Sequence, residues 1–332
     1  MTTQKFKWQG IISKYAYPET WRSLWQVFNS VVPFFVGWYL MYRSLEVGYW
    51  LTLLLALPTA GFMMRCFIIF HDCCHGSFFK NIKTNDRLGL VIGVLVLTPY
   101  HQWKHSHAIH HATAGDLDRR GIGDVYTMTV EEYLAAPWYK KVGYRIMRSP
   151  IILFTIGSFL VFTVTHRFWE KSAGKRERSS VIWTNLAIAA VVGWIMLEIG
   201  WAAFLLVEVP ILLIACGSGV WLFYVQHNFD PTYWERHTEW EFFNAGMDGS
   251  SFYKLPKLLQ WFTGNIGLHH VHHVRPTIPN YNLQQCHDAI PAFQAVKAIT
   301  LKTSLRSLRL SLCDAENQKL VSFDSLSSRA RR

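Results

Sequence analysis

This 332-residue chain is short of charge: Asp, Glu, Lys and Arg make up only 17% of it, against roughly 25% in soluble domains. It also lacks paired cysteines. The six present, Cys66, Cys73, Cys74, Cys216, Cys286 and Cys313, show no CxxC and no zinc-ribbon or iron–sulfur spacing, so neither a disulfide framework nor a cysteine-held cluster is expected. There is no Rossmann glycine motif to cradle a dinucleotide and no His-Pro-Gly-Gly run of a haem segment. The first 26 residues are polar and aromatic, with Lys5, Lys7, Lys14 and Arg22 and no apolar core, so no cleavable signal is expected. Acidic side chains are scarcer than basic ones, 22 against 33, giving a formal net charge of +11. That balance suits an anionic lipid surface or an acidic protein partner. Nucleic acid is a poor fit, because the basic residues form no groove-reading element.

What fills the chain instead is apolar and aromatic. Hydrophobic residues reach 51%, with 15 Trp, 14 Tyr and 22 Phe, and Trp and Tyr suit bilayer interfaces. The composition is that of an integral membrane protein. A crossing needs about 20 apolar residues, and four segments qualify: about 27–45, 48–70, 181–199 and 203–226. The run 88–101 is too short, and 151–168 is interrupted by Gly157-Ser158 and ends in His166, Arg167 and Trp169. Both are expected to be re-entrant or interfacial.

Histidine is the conspicuous reagent. Nine of the fifteen lie in three boxes, eight of them, all but His270, at helical spacing on shared faces: His71-Asp72-Cys73-Cys74-His75, His107-Ala108-Ile109-His110-His111, and His269-His270-Val271-His272-His273. Residues three and four apart share a helix face, so His71 and His75 point one way, as do His107, His110 and His111, and His269, His272 and His273. Imidazole is the commonest protein metal ligand and suits iron, copper and zinc. Eight are too many for one ion and about right for two. His227, at the end of the last span, arrives at the same membrane surface as a ninth candidate. By helical phase His101, His105 and His270 fall off the shared faces and are assigned to packing or supporting roles; His166, His237 and His287 have no role at the metal.

If the boxes build one site, an even number of crossings separates each pair. The basic loop from Lys171 to Arg178 reads as cytoplasmic by the positive-inside rule, which makes 181–199 and 203–226 an out-and-back pair. The expectation is one all-α integral membrane domain over 1–332, with four transmembrane helices plus re-entrant or interfacial helices. A cytoplasmic helical cap, 71–150 and 227–332, carries the boxes at the cell membrane, with both termini cytoplasmic.

The boxes, with Ile68-Ile69-Phe70, Trp103-Lys104-His105-Ser106 and Gly264-Asn265-Ile266-Gly267 before them and Pro279-Asn280-Tyr281 after them, resemble those of the membrane-bound fatty acid desaturases, over nearly the whole chain. The resemblance is nearest to the acyl-lipid delta-5 desaturases of bacilli. It implies two iron ions (Fe2+) held by His71, His75, His107, His110, His111, His227, His269, His272 and His273. It further implies phospholipid acyl chains as substrate, O2 as oxidant, and ferredoxin or flavodoxin as electron donor.

The residues agree with such chemistry. Hydrogen removal from an unactivated methylene is beyond any side-chain acid or base and needs a metal-derived oxidant. No Glu-x-x-His occurs, which excludes the carboxylate-bridged di-iron bundle. The donor must be a separate protein, since no cofactor motif is present. Arg119, Arg120, Lys140, Lys141 and Arg145 are candidates for docking it or for holding lipid phosphate, or simply anchor the cytoplasmic face. Asp72 either orients an imidazole through its other nitrogen or caps the helix in solvent. A His-box hydroxylase of alkanes or carotenoids uses similar ligands. A metal transporter is the other class, disfavoured because the histidines collect at one surface while Glu198 and Glu208 lie toward the other.

Overall fold

The computed structural model describes residues 10–326; Lys5, Lys7 and the end of the expected cap beyond 326 lie outside them. In chain order the helices that matter are α1 (Thr20–Ser44), α2 (Tyr49–His75), α3 (Ile82–Leu95), α4 (Tyr100–Thr113), α5 (Trp138–Met147), α6 (Gly157–Thr163), α7 (Lys175–Ile199), α8 (Trp201–His227) and α9 (His269–Val274). Four of these, α1, α2, α7 and α8, are long and apolar enough to cross a membrane.

Each is longer than its expected span at a polar end. The α2 helix runs through His75, and α7 starts at Lys175 rather than near 181. Hydropathy marks only the part that lies in hydrocarbon, whereas backbone hydrogen bonding continues through the polar turns. At 1.5 Å per residue the 27 residues of α2 or α8 extend about 40 Å, against about 30 Å of hydrocarbon. Each helix is therefore longer than the apolar layer, and its polar last turns carry His71, His75 and His227. Gly76, left-handed at φ 66°, stops α2; its N–H donates to Cys73 O and the Ser77 N–H to Asp72 O, both at 3.0 Å.

The inner pair is α2 and α8. Within their apolar windows 56% and 44% of residues are buried, against 22% for α1 and 17% for α7. Helix α1 packs along α2, while α7 packs against α4, α3 and α8. The outer faces stay bare, with Trp21, Phe28 and Phe35 on α1 and Trp183, Trp194 and Leu197 on α7 exposed. Apolar surface of that extent is not tolerated in water and is the face expected toward lipid. Phe34, Met63, Phe70, Ile211 and Ala215 form the membrane core. A second core around Tyr224, Val225, Val271, Ile278 and Phe293 underlies the cap.

The two ambiguous runs resolve into broken helices. Residues 88–101 are the end of α3 and the start of α4, divided by a turn at Leu97, which has φ 53°. With 14 residues, α3 is about 21 Å long, too short to cross. Residues 151–168 pass through a π-turn at Ile152–Ile156, then α6, then a 3-10 turn at Thr165–Arg167. The segment Ile152–Arg167 bends by 61° from α5. Two small sheets brace the cap: β1 (Phe252–Lys254) pairs parallel with β2 (Ala298–Thr300), and β3 (Leu312–Asp314) antiparallel with β4 (Lys319–Val321).

Candidate metal centre

Imidazoles from four helices meet at one end of the bundle and sort into two groups. His71, His75, His107, His111 and His272 each offer a nitrogen within 4.8 Å of the others; His110, His227, His269 and His273 do the same. The second and third boxes each feed both groups. Four residues along a helix is a rotation of about +40°, three residues about −60°. The i,i+4 pairs therefore stay together, His107 with His111 and His269 with His273. The odd members, His110 and His272, cross to the other group. Sequence phase had placed each trio on one arc, and the fold uses the width of that arc to serve two sites.

The donor chemistry of the four-histidine group calls for a cation. His110 Nδ1 lies against Asp124 Oδ1, and a carboxylate only accepts, so Nδ1 carries the proton. His227 Nδ1 lies 3.2 Å from the Gly249 carbonyl, which also only accepts. In neutral rings both Nε2 atoms are then lone pairs, yet they face each other at 3.1 Å, and His227 Nε2 stands 2.9 Å from His269 Nε2. Facing lone pairs repel unless a positive ion lies between them. With metal–nitrogen bonds of about 2.1 Å, two ligands at right angles stand about 3 Å apart, which is the spacing seen.

The five-histidine group repeats the pattern, with His111 Nε2 at 3.2 Å from His107 Nε2 and 3.1 Å from His272 Nε2. One proton on His111 would satisfy only one of these contacts. His75 Nε2 and His273 Nε2 are buried with no hydrogen-bond partner among the described residues, and orphans of this kind ask for an explanation. Burial holds His107, His111, His269, His272 and His273 well below the usual imidazole range. They are neutral, the form a metal needs.

Two carboxylates support the rings. Asp72 is 1% exposed, so it is no solvated cap. Its Oδ1 lies 3.3 Å from His71 Nδ1, and its Oδ2 accepts from Asn280 N and Nδ2 at 2.7 and 2.8 Å. Asn280 also bonds Gln26, so the segment after the third box is clamped to α1 and α2. Asp124 was not foreseen. It ends the loop Gly121-Ile122-Gly123-Asp124, where a Cβ on Gly123 (φ 71°) would lie 2.8 Å from Ser106 O and 3.0 Å from His110 Cβ. Glycine lets the loop lie flat on α4 and deliver the carboxylate to His110. Burial works against the charge of Asp124, but the His110 contact outweighs it and holds the carboxyl below its usual range. In the sequence only the Gly-x-Gly-Asp turn behind the second box hints at this.

The remaining histidines stand apart from both groups. His105 is exposed. His270 is buried with Nε2 3.2 Å from His287 Nδ1, beside Phe252 and Phe293, and burial pulls its pKa down to about 3. His237 meets Asp116 at 2.9 Å, and His166 lies 3.5 Å from Thr98 Oγ1. Most of the expected docking cations are engaged. Arg119 pairs with Asp116, Arg120 with Glu132, Arg145 donates to Tyr133 OH and Lys141 to Leu134 O.

The sequence pattern of the family described as "Fatty acid desaturase" matches residues 47–301. A "Fatty acid desaturase" of Bacillus subtilis is 52% identical over 315 residues, covering 95% of this chain and 90% of that protein. An "sn-1 acyl-lipid omega-3 desaturase (ferredoxin)" of Synechocystis is 28% identical over 236 residues, 68% of this chain and 63% of that one. An "sn-1 oleoyl-lipid 12-desaturase" of the same organism is 25% identical, over 70% and 66%.

Proposed function

The chain belongs to the fatty acid desaturase family, and from that premise we propose that it introduces a cis double bond into phospholipid acyl chains, at the delta-5 position, using O2 and two electrons from ferredoxin or flavodoxin. One observation carries the reading: nine imidazoles converge as a set of five and a set of four. We assign His71, His75, His107, His111 and His272 to one iron and His110, His227, His269 and His273 to the other. When bound, the two irons supply the oxidising power from O2 that no side chain has. The overall balance is R–CH2–CH2–R′ + O2 + 2 e⁻ + 2 H⁺ → R–CH=CH–R′ + 2 H2O.

The protein's own part is to hold and orient. Asp124 keeps the His110 proton on Nδ1 and turns Nε2 toward His227. Asp72 ties the first box to Asn280. A cavity of about 30 Å³ beside His227 and Asp124 has room for a water or two, a fitting place for the product water or an incoming proton.

Charge supports a cytoplasmic site at the cell membrane. Helices α7 and α8 form a hairpin, so Lys175, Arg176 and Arg178 at the start of α7 lie on the side where α8 ends in His227, and basic residues mark the inner face. Because α4 and the end of α8 meet, the chain between them crosses an even number of times. Helices α7 and α8 account for two crossings, so the bent 138–167 segment returns to its own side. Both groups lie at one end of the bundle, which does not suit a transporter with access from two faces.

Expression in a host lacking desaturases, followed by fatty acid profiling with double-bond localisation, tests the proposal. A new cis delta-5 product is expected. A hydroxylated chain, or no product from an iron-loaded protein, would contradict it.

A further inference from the structure

Two electrons per turnover come from outside, and that need rests on the reading above; where a carrier docks is a separate question that the surface answers. A cavity of about 820 Å³ lies against the segment that leaves α8, with Phe229, Asp230 and Tyr233 on one wall. Lys297, Arg306, Arg309 and Lys319 line the other side. All four are exposed, and none makes an ion pair among the described residues. This contrasts with Arg119 and Arg120, which pair with Asp116 and Glu132, and with Arg145, which donates to Tyr133 OH. Two carboxylates, Asp230 and Asp248, share the cavity, so among the described residues four cations face two anions and leave it positive. Thr232, 5% exposed, lines it with an Oγ1 that has no hydrogen-bond partner among the described residues.

The cavity is one hydrogen bond and one peptide link from the metal site. Asp248 forms part of its wall. The next residue, Gly249, accepts the bond from His227 Nδ1 at 3.2 Å. The His227 Nε2 atom faces His110 and His269. Tyr233 lines both this cavity and the small one beside His227, so the two are neighbours. An exposed positive concavity this close to a redox site steers and orients an oppositely charged protein.

We propose that this cavity is the docking port for a soluble acidic one-electron carrier protein, which delivers electrons to the four-histidine group by way of Gly249 and His227. Two reduced carriers dock in turn, each leaves oxidised by one electron, and together they supply the two electrons of the balance above. The cations complement carboxylates on the carrier.

The test uses the full iron-loaded chain in nanodiscs of neutral lipid, with a purified acidic [2Fe–2S] ferredoxin as probe. The triple variant Arg306→Glu, Arg309→Glu, Lys319→Glu is compared with wild type and with Lys140→Glu, a charge reversal away from the cavity. The triple variant is expected to bind the ferredoxin about tenfold more weakly or worse, and wild-type affinity to fall with salt. Stopped-flow oxidation of reduced ferredoxin slows to match, while reduction by dithionite and the iron content stay unchanged. Equal affinity in wild type and triple variant would overturn the proposal, as would an equal loss in Lys140→Glu. So would a variant that keeps ferredoxin affinity but loses binding to anionic lipid vesicles, which would make the cavity a lipid site. Because binding is read directly, a wild type that docks ferredoxin yet makes no unsaturated product would sink the proposed reaction and leave the port standing.

Discussion

Replacing Asp124 with Asn is the most discriminating single change. The side chain keeps its volume, and it meets His110 Nδ1 through Oδ1 while Oδ2 accepts from the Gly121 N–H at 3.4 Å. The carboxylate makes a charge-assisted bond, roughly twice as strong as a neutral one, and it fixes the tautomer that presents a lone pair at Nε2. An amide is a weaker acceptor and, turned over, sets an N–H against an N–H. Loss of such a supporting partner costs about 10- to 100-fold in metal affinity, or about 1.4 to 2.8 kcal/mol. The effect is confined to one site, because His110 belongs to the four-histidine group only. The assay is a timed chelator challenge of the purified protein with iron counted per chain. Asp124→Asn should shed one iron about 10- to 100-fold faster than wild type and keep the other. Equal loss from both sites, or wild-type retention of both, would refute the reasoning.

Other outcomes follow from the same geometry. His111→Ala or His272→Ala, each emptying a corner of the five-histidine group, should abolish the unsaturated product while the chain still inserts into membranes; normal product from either would contradict the assignment. Asn280→Ala removes one of the two donors to the buried Asp72 carboxylate, the side-chain amide, and keeps the backbone N–H; losing the side-chain bond should cost about 1.5–3 kcal/mol, read as a lower melting temperature. In iron-free protein, burial depresses the pKa of His107, His111, His269, His272 and His273, and that of His270 to about 3. The unfolded chain binds more protons below pH 6.5, so stability is full above that value and falls as pH drops toward the folded pKa values, each ring contributing up to about 1.4 kcal/mol per pH unit. A flat melting temperature between pH 7 and 5 would contradict it.

Much of this was legible because membranes simplify sequences. Hydrocarbon demands long apolar runs, so α1, α2, α7 and α8 announce themselves, and helical spacing announces the boxes. Helix ends were less legible, because α2 and α7 continue into polar turns that hydropathy ignores but backbone hydrogen bonding does not. The division of His110 from His111, and of His272 from His273, depends on how α4 and α9 are set against each other, which phase on a single helix does not contain. Asp124 was invisible for a related reason: its partner is on another element, brought within reach by the close approach of Gly123 to α4. The engaged state of Arg119, Arg120 and Arg145, and the lack of an ion pair at Arg306 and Arg309 among the described residues, are likewise matters of tertiary placement.

The central claim is that nine histidines form two separate metal sites. Counting iron in wild type, His75→Ala and His227→Ala, each purified under reducing, chelator-free conditions, tests it most directly. The account predicts two irons in wild type and one in each variant, with a different iron missing in each. A single iron in wild type, or the loss of both from either variant with the fold intact, would contradict it.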